Sequence, residues 1–438
     1  MSDPNSTAEE NRSPQTSLLD QIVEPANLQR AWERVRANKG APGFDGMSIK
    51  DFPKFAADHL PRIVAQIREG RYAPAAVRRV WIPKPNGEKR PLGIPTVLDR
   101  VVQQAIAQVL SPIFDVGFSE QSYGFRMGKQ AHAAIEHLRM HSQQGYRWGV
   151  DCDLKSYFDT VNHELLMREI RKRISDKRVL KLIRKYLRAG VRHEDGTTEK
   201  SQAGVPQGGP LSPLLANIML DPLDKLIESI GLPFARYADD FLILAKTKED
   251  AQEAMSRVEE FLECHLRLLV NQDKSQIAPL KECSFLGFRI HGKKVQRTDK
   301  AAQRFRMRIR EITSRSRGVS LSTIFTELRR YCTGWFHYFK IGLSYKELYD
   351  WDQWIRRRVR LCHWKQWKLP RKRRRELIRR GIASERVKLA TRSRKGHWRM
   401  AGNSLLQIAL NNDYLKSQGL PSLRDLWLVF KYEDKAQL

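Results

Sequence analysis

The sequence predicts an α+β fold over its first 300 residues and a mostly helical remainder. Three observations carry that reading. Short β-rich runs alternate with helical ones up to about residue 300. Two of those β-rich stretches turn back on themselves: VRRVWIPKPNGEKRPLGI (Val77 to Ile94) is centred on Asn86-Gly87, a strong hairpin signal, and FARYADDFLIL (Phe234 to Leu244) on Asp239-Asp240. Composition then shifts: residues 301–380 hold 23 Lys/Arg against 6 Asp/Glu, and seven of the ten tryptophans lie beyond residue 330. Under a fifth of the 438 residues therefore carries more than half of a formal net charge of +30.

In chain order, MSDPNSTAEENRSPQTS is polar and reads as a disordered tail through residue 20. A helical pattern from Asn27 towards Lys50 is broken by the turn KGAPGFDG. After the Asn86-Gly87 hairpin, Val97 to Leu110 is apolar at helical spacing. Tyr146 to Val150 leads as a strand into DCDLKSYFD, and Asn162 caps a helix through HELLMREIRKRI. Ser212-Pro213 reads as an N-cap with proline at the first helical position, opening a helix that contains Pro222. Glu249 to Leu268 is helical, and Phe285 to Ile290 is a short strand pair with Gly287 inside.

A hydrophobic content of 41% is enough for real cores. A compact chain this basic repels itself until a polyanion neutralises it, which points to nucleic acid. No apolar run reaches the roughly 18–20 residues of a membrane span, and the N-terminus lacks the layout of a signal peptide. No membrane partner and an intracellular, cytoplasmic location are expected. Cys152, Cys264, Cys283, Cys332 and Cys362 are an odd number with no C-x-x-C, so a zinc finger has no support and reduced thiols are expected.

The chemistry is carried by carboxylates. Asp153 ends an apolar strand, and Asp239 and Asp240 sit at a hairpin tip. Two adjacent carboxylates repel, and a divalent cation relieves the repulsion. If the strands are neighbours, the three suit two Mg²⁺ ions about 4 Å apart, as in nucleotidyl transfer, with oxygen ligands of the kind magnesium prefers. Asp151 lies two residues before Asp153 and faces the same way along a strand. The glycines of AGVPQGGPLSPLLANIML let backbone approach a ligand closely, and Gln207 stands among them. Lys84 and Arg90 flank the hairpin as a charged clamp, and Lys274 of VNQDKSQI adds a third cation. Each motif alone is an ordinary turn or basic surface; their ordered combination is what singles out a site.

That ordered set resembles the group II intron-encoded reverse transcriptases. NLQRAWERVRANKGAPGFDG is similar to the family's N-terminal extension, and RRVWIPKPNGEKRPLGIPTVLDRVVQQAI and SEQSYGFRMGKQAHAAI to its fingers blocks. WGVDCDLKSYFDTVNHELL, AGVPQGGPLSPLLANIMLDPLD, RYADDFLILAKT, LRLLVNQDKSQI and CSFLGFRI follow in the family's order. YCTGWFHYFKIG and WDQWIRRRVRLCHWKQWKLPRKRRR resemble its maturase region, domain X, and GHWRMAGNSLLQIALNNDYLKSQGLPSL its DNA-binding tail.

The resemblance implies a right-hand polymerase. Its parts are an N-terminal extension (21–75), fingers and palm (76–297), an α-helical thumb or maturase domain X (298–380) and a small C-terminal DNA-binding domain (381–438). Asp153, Asp239 and Asp240 become the catalytic residues, and with Leu154 the metal ligands. Lys84, Arg90, Phe158, Gln207 and Lys274 become nucleotide-binding, with Phe158 excluding a 2′-hydroxyl, and Leu286 and Gly287 the primer grip. The implied partners are group II intron RNA, a DNA target or primer and deoxynucleoside triphosphates. A monomer on RNA, associated with the nucleoid during mobility, is expected. No cysteine follows Cys362, so the zinc-bound HNH endonuclease of many relatives is not expected, and the layout resembles the bacterial class C lineage. The alternative is a free-standing polymerase of the same type, in repair or defence, with no intron.

Overall fold

A computed structural model of the chain describes residues 17–83 and 87–436. It divides into two compact units, Met1–Leu280 and Lys281–Leu438. The first opens with α1 (Leu18–Ile22), α2 (Pro25–Ala37) and α3 (Phe52–Arg68). Helix α1 starts inside the stretch expected to be a tail through residue 20, because Leu19 and Ile22 find a core to bury in and Ser17 caps Asp20 N. The helical pattern from Asn27 stops at Ala37, well short of Lys50.

Strands β1 (Val77–Pro83) and β2 (Lys89–Ile94) form the first hairpin, in register from Arg78 opposite Ile94 to Pro83 opposite Lys89. Its tip, with Lys84 and Asn86, lies outside the described residues. Helix α4 (Val97–Asp115) follows, capped by the Thr96 hydroxyl, which accepts from Asp99 N; then α5 (Ala131–Gln143) and β3 (Trp148–Cys152). Next come α6 (Tyr157–Thr160), α7 (His163–Arg171), α8 (Lys177–Arg188), β4 (Val191–Arg192) and β5 (Thr198–Glu199). Asn162 caps α7 as expected, accepting from Glu164 N and Leu165 N.

Helix α9 (Ser212–Ile230) is shifted by one residue: Leu211 is its N-cap and Ser212 its first residue. The Ser212 hydroxyl bonds back to the Pro206 carbonyl at 2.6 Å instead of capping. Strands β6 (Phe234–Tyr237) and β7 (Asp240–Ala245), α10 (Lys248–Glu260) and β8 (Gln276–Pro279) complete the unit. Beyond Glu260 the chain continues as a π-helical turn, Phe261–Leu266, rather than as α-helix to Leu268.

Two four-stranded sheets result, ordered β2-β1-β4-β5 and β6-β7-β3-β8. In the second, β7 is buried from Phe241 to Ala245, as an interior strand covered on both faces should be. Helix α10 packs against β3, β7 and β8, and α5 against β6 and β7.

The second unit starts with β9 (Phe288–His291) paired to β10 (Lys294–Arg297). The strand pair expected over Phe285 to Ile290 is present in its shortest form, a single antiparallel bridge between Phe285 and Phe288 that feeds β9. Phe285 and Phe288 exchange backbone bonds at 3.0 and 2.9 Å around Leu286 and Gly287, both at positive φ. The rest is helical: α11 (Asp299–Ile312), α12 (Leu321–Phe339), α13 (Tyr345–Gln366), α14 (Pro370–Arg379), α15 (Ser384–Thr391), α16 (His397–Ala401), α17 (Ser404–Ala409), α18 (Asn412–Ser417) and α19 (Leu423–Ala436). Phe305, Trp335 and Trp351 pack ring against ring at the centre of α11–α13, with centroids 4.4 to 5.2 Å apart. Among the described residues no helix is long and apolar enough to cross a membrane.

Candidate active site

The register of the β6-β7-β3-β8 sheet decides which carboxylates meet. Cys152 of β3 stands opposite Phe241 of β7, so one step further the antiparallel pairing brings Asp153 opposite Asp240. Tyr237 pairs with Asp240, which leaves Ala238 and Asp239 as a two-residue turn. Asp240 thus belongs to the strand rather than to the tip. Asp151 lies inside the ladder, between Leu242 and Gln276. Burial first, then Asp153, pushes its carboxyl up to about 6.

The loop before β8 orients Asp153. Asn271 Nδ2 donates to Asp153 Oδ2 at 3.0 Å, Asp153 N donates to the Ser275 hydroxyl at 3.0 Å, and Lys274 Nζ lies 3.4 Å from Oδ2. Leu154 forms a bridge with Val270. Both of that bridge's bonds come from its neighbours, Asn271 N to Asp153 O and Lys155 N to Leu269 O, so the Leu154 carbonyl stays out of the ladder. Burial pushes the Asp239 carboxyl up; Arg90 opposes and Asp153 adds to the shift.

A buried network that the sequence did not reveal holds the Ala238-Asp239 turn. Arg236, wholly buried, donates to both Asp224 oxygens, to Asn217 Oδ1 at 2.9 Å and to the Ala238 carbonyl at 2.9 Å. Burial lowers the Arg236 pKa, but the Asp224 carboxylate raises it by more, so the guanidinium stays charged. Asn217 also donates to the Gly124 carbonyl at 2.9 Å. Gly124 sits so close to the turn that a Cβ there would meet Ala238 N at 2.3 Å. The only sequence signal for this support was the short R-Y-A-D-D run itself.

A second cluster forms beside β1 and β2. Phe158, in α6, lines a cleft of about 810 Å³ together with Gln207, Asp159, Arg79 and Gly204. Arg90 Nε donates to Gln207 Oε1 at 2.7 Å. The glycine loop is fastened to the Phe158 turn: Val205 N donates to Phe158 O at 2.6 Å and Gly204 N to Val161 O at 2.8 Å. Gly204 is at φ +89, where a Cβ would meet Phe158 O and Asp159 O at 2.9 Å. Only glycine fits there. Asp159 couples the cluster to β1 and β2: burial raises its pKa, and Arg79 and Arg90 pull it back.

Asp153, Asp239 and Asp240 therefore come together at one end of the β3–β7 pair, with Lys274 beside Asp153, while Phe158 and Gln207 line one cleft and Arg90 is tied to it through Gln207. Leu286 and Gly287 belong to the second unit, where Tyr338 Oη donates to the Leu286 carbonyl at 3.0 Å and Thr298 N to the Gly287 carbonyl at 2.9 Å. Lys84 lies outside the described residues. Among the described residues no three His, Cys, Asp or Glu side chains converge on a single ion. The donor chemistry still suits a hard divalent cation: three carboxylates rise from adjacent backbone positions, and one of them faces Lys274.

Comparison with known proteins gives two family matches and several relatives. The profile "Reverse transcriptase (RNA-dependent DNA polymerase)" matches residues 82–290, and "Group II intron, maturase-specific domain" matches residues 302–381. Protein YkfC of Escherichia coli (strain K12) is 36% identical over 315 residues, 62% of this chain and 82% of YkfC. Group II intron-encoded protein LtrA of Lactococcus lactis subsp. cremoris is 36% identical over 222 residues, 50% of this chain but 37% of LtrA, so the chain matches well under half of LtrA's length. A solved partial Cas6-RT-Cas1–Cas2 complex aligns at 25% identity over 57% of this chain and 43% of that one. Its TM-score is 0.37, a loose superposition. By these matches the chain belongs to the reverse transcriptases encoded by group II introns, RNA-dependent DNA polymerases that carry a maturase-specific domain.

Proposed function

We propose that this protein extends a DNA 3′-end with deoxynucleotides on an RNA template, at the end of the sheet where β3 and β7 bring Asp153 and Asp240 opposite each other beside Asp239. That register is the observation that carries the reading. Asp153, Asp239 and Asp240, with the Leu154 carbonyl, would hold two Mg²⁺ ions. When bound, the ions would activate the primer 3′-hydroxyl and neutralise charge on the departing pyrophosphate.

The chain's own residues supply position. Asn271 and Ser275 fix Asp153, and the Arg236 network fixes Asp239, so the carboxylates are set before substrate arrives. Arg90 and Lys274 offer cations to the triphosphate, and Gln207 a hydrogen bond to the incoming nucleotide. Phe158, lining the cleft with its turn pinned by Gly204 and Val205, would set its ring against a 2′-hydroxyl. The Leu286-Gly287 turn is held by Tyr338 and Thr298 to grip the primer. Purified protein with Mg²⁺, an RNA template, a DNA primer and deoxynucleotides is expected to give full-length cDNA; no extension would end the polymerase reading.

The second role is to bind the RNA of its own intron and assist splicing. Arg-rich helices such as α14, with Arg371, Lys372, Arg373, Arg374 and Arg375 in its first turns, can neutralise phosphates, and binding should weaken steeply with salt. Sequencing RNA that co-purifies with the protein from its host tests this. One dominant intron species containing this reading frame is expected; a broad mixture removes the splicing role and leaves the polymerase.

A further inference from the structure

The second unit holds a cavity of about 960 Å³ between α13 and the short helices that follow it. Arg356, Arg357, Arg360, Arg399 and Arg424 contribute to its wall. Two of the acids there are already engaged. Asp352 accepts from Ser422 Oγ, Leu423 N and Arg424 N at 2.8 to 3.1 Å, and Asp425 pairs with Arg424 at 2.9 Å and Lys416 at 3.9 Å. The third, Asp413, is exposed on α18.

Arg360 is the anomaly. It is only 8% exposed, its Nε donates to the Leu410 carbonyl at 3.0 Å, and among the described residues no carboxylate is paired with it. Arg356 stands one helical turn away on the same face, a like charge at the spacing where like charges repel. Burial first, then Arg356, draws the Arg360 pKa down to about 10. Arg357 adds a buried Nε with no hydrogen-bond partner, while its guanidinium lies 4.1 Å from the centre of the Trp398 ring. A buried cation without a counter-ion is unfavourable unless an anion completes it.

We infer that this cavity is a phosphate site, taking one backbone phosphate of a nucleic-acid strand with Arg360 as the buried donor and Arg356 and Arg399 closing over it. Guanidinium forks match a phosphate bidentately. The inference rests on the nucleic-acid reading above. The strand is RNA or DNA, since both present the same phosphodiester.

The test uses the full chain, wild type against Arg360→Met and Arg356→Gln. Fluorescence anisotropy with a labelled single-stranded RNA and the DNA of the same sequence gives affinity and its salt dependence. Melting with and without inorganic phosphate, and primer extension at saturating template, complete it. Both variants are expected to bind the fitting strand about tenfold more weakly, with a salt slope reduced by roughly one. Inorganic phosphate should raise the wild-type melting temperature and leave that of Arg360→Met unmoved, while primer extension persists. Weakening with RNA alone assigns an RNA phosphate, with DNA alone a DNA phosphate, and with both a site for either. If Arg360→Met fails to fold, Arg356→Gln carries the binding test from its half-buried position. Unchanged strand affinity in the folded variants overturns the inference, as does phosphate stabilisation that survives Arg360→Met. Absence of primer extension in the wild type would instead count against the polymerase reading and leave the phosphate result standing.

Discussion

Arg236 grips Asp224 with two hydrogen bonds, 2.7 Å from Nε and 2.5 Å from Nη2, and neither side chain reaches solvent. The same guanidinium reaches the Ala238 carbonyl, so a fully buried ion pair anchors the turn that carries Asp239. Asp224→Ala strands the guanidinium and should cost about 3–5 kcal/mol in urea unfolding. The double variant Arg236→Met with Asp224→Leu should recover much of that stability while primer extension stays low, because Ala238 has lost its donor. Full recovery of both would show that the pair serves folding alone.

Gly124 and Gly204 test two close approaches. Gly124→Ala would push a methyl into Ala238 N, and Gly204→Ala would push one against Phe158 O and Asp159 O while also straining φ. Each should cost about 1–3 kcal/mol of stability and reduce nucleotide addition more than RNA binding. Measured kcat values equal to wild type would mean the backbone yields without moving the site.

Removing the Phe158 ring should open the cleft it shares with Gln207. Phe158→Ala is expected to lower the preference for deoxynucleotides over ribonucleotides by about tenfold or more, read as the ratio of kcat/KM values. An unchanged ratio would take the discrimination away from this residue.

His363 carries a pH prediction. It is buried among the rings of Phe325, Trp367 and Tyr414, and neither ring nitrogen has a hydrogen-bond partner. Burial first, then Arg380, pulls its pKa from 6.5 down to about 3. The folded state therefore holds it neutral, a contribution complete above pH 6.5 and lost as the pH falls from there towards 3. His363→Phe should flatten that part of the stability profile and raise the melting temperature at neutral pH, since two orphaned polar atoms disappear. A profile unchanged between pH 3 and 6.5 would refute the assignment.

The hairpins, the Asn162 cap and the helical character of the second unit were legible in the sequence because local patterns announce them: paired β-rich arms, an Asx cap, 3.6-residue spacing. The positions of Asp153 and Asp240 were legible as residues, but their pairing depends on register between strands some ninety residues apart, which no local pattern states. The Arg236–Asp224 pair was invisible for the same reason: Arg236 reads as a polar interruption of a strand and Asp224 as a surface residue of α9, and only tertiary packing buries them together. Leu286 was legible, through the resemblance, as part of the primer grip, yet nothing in a leucine announces φ +51. The α1 boundary and the shifted start of α9 were misplaced by neighbours in space, a core for Leu19 and the Pro206 carbonyl for Ser212.

If nucleotides are joined where β3 and β7 end side by side, Asp239 is needed for synthesis and not for RNA binding. The most direct measurement is primer extension on an RNA template by Asp239→Ala beside wild type, with RNA affinity measured on the same preparations. In Asp239→Ala cDNA synthesis is expected to disappear while RNA binding is unchanged. Synthesis that persists in Asp239→Ala, or RNA binding that is lost together with it, would contradict a purely catalytic place for Asp239.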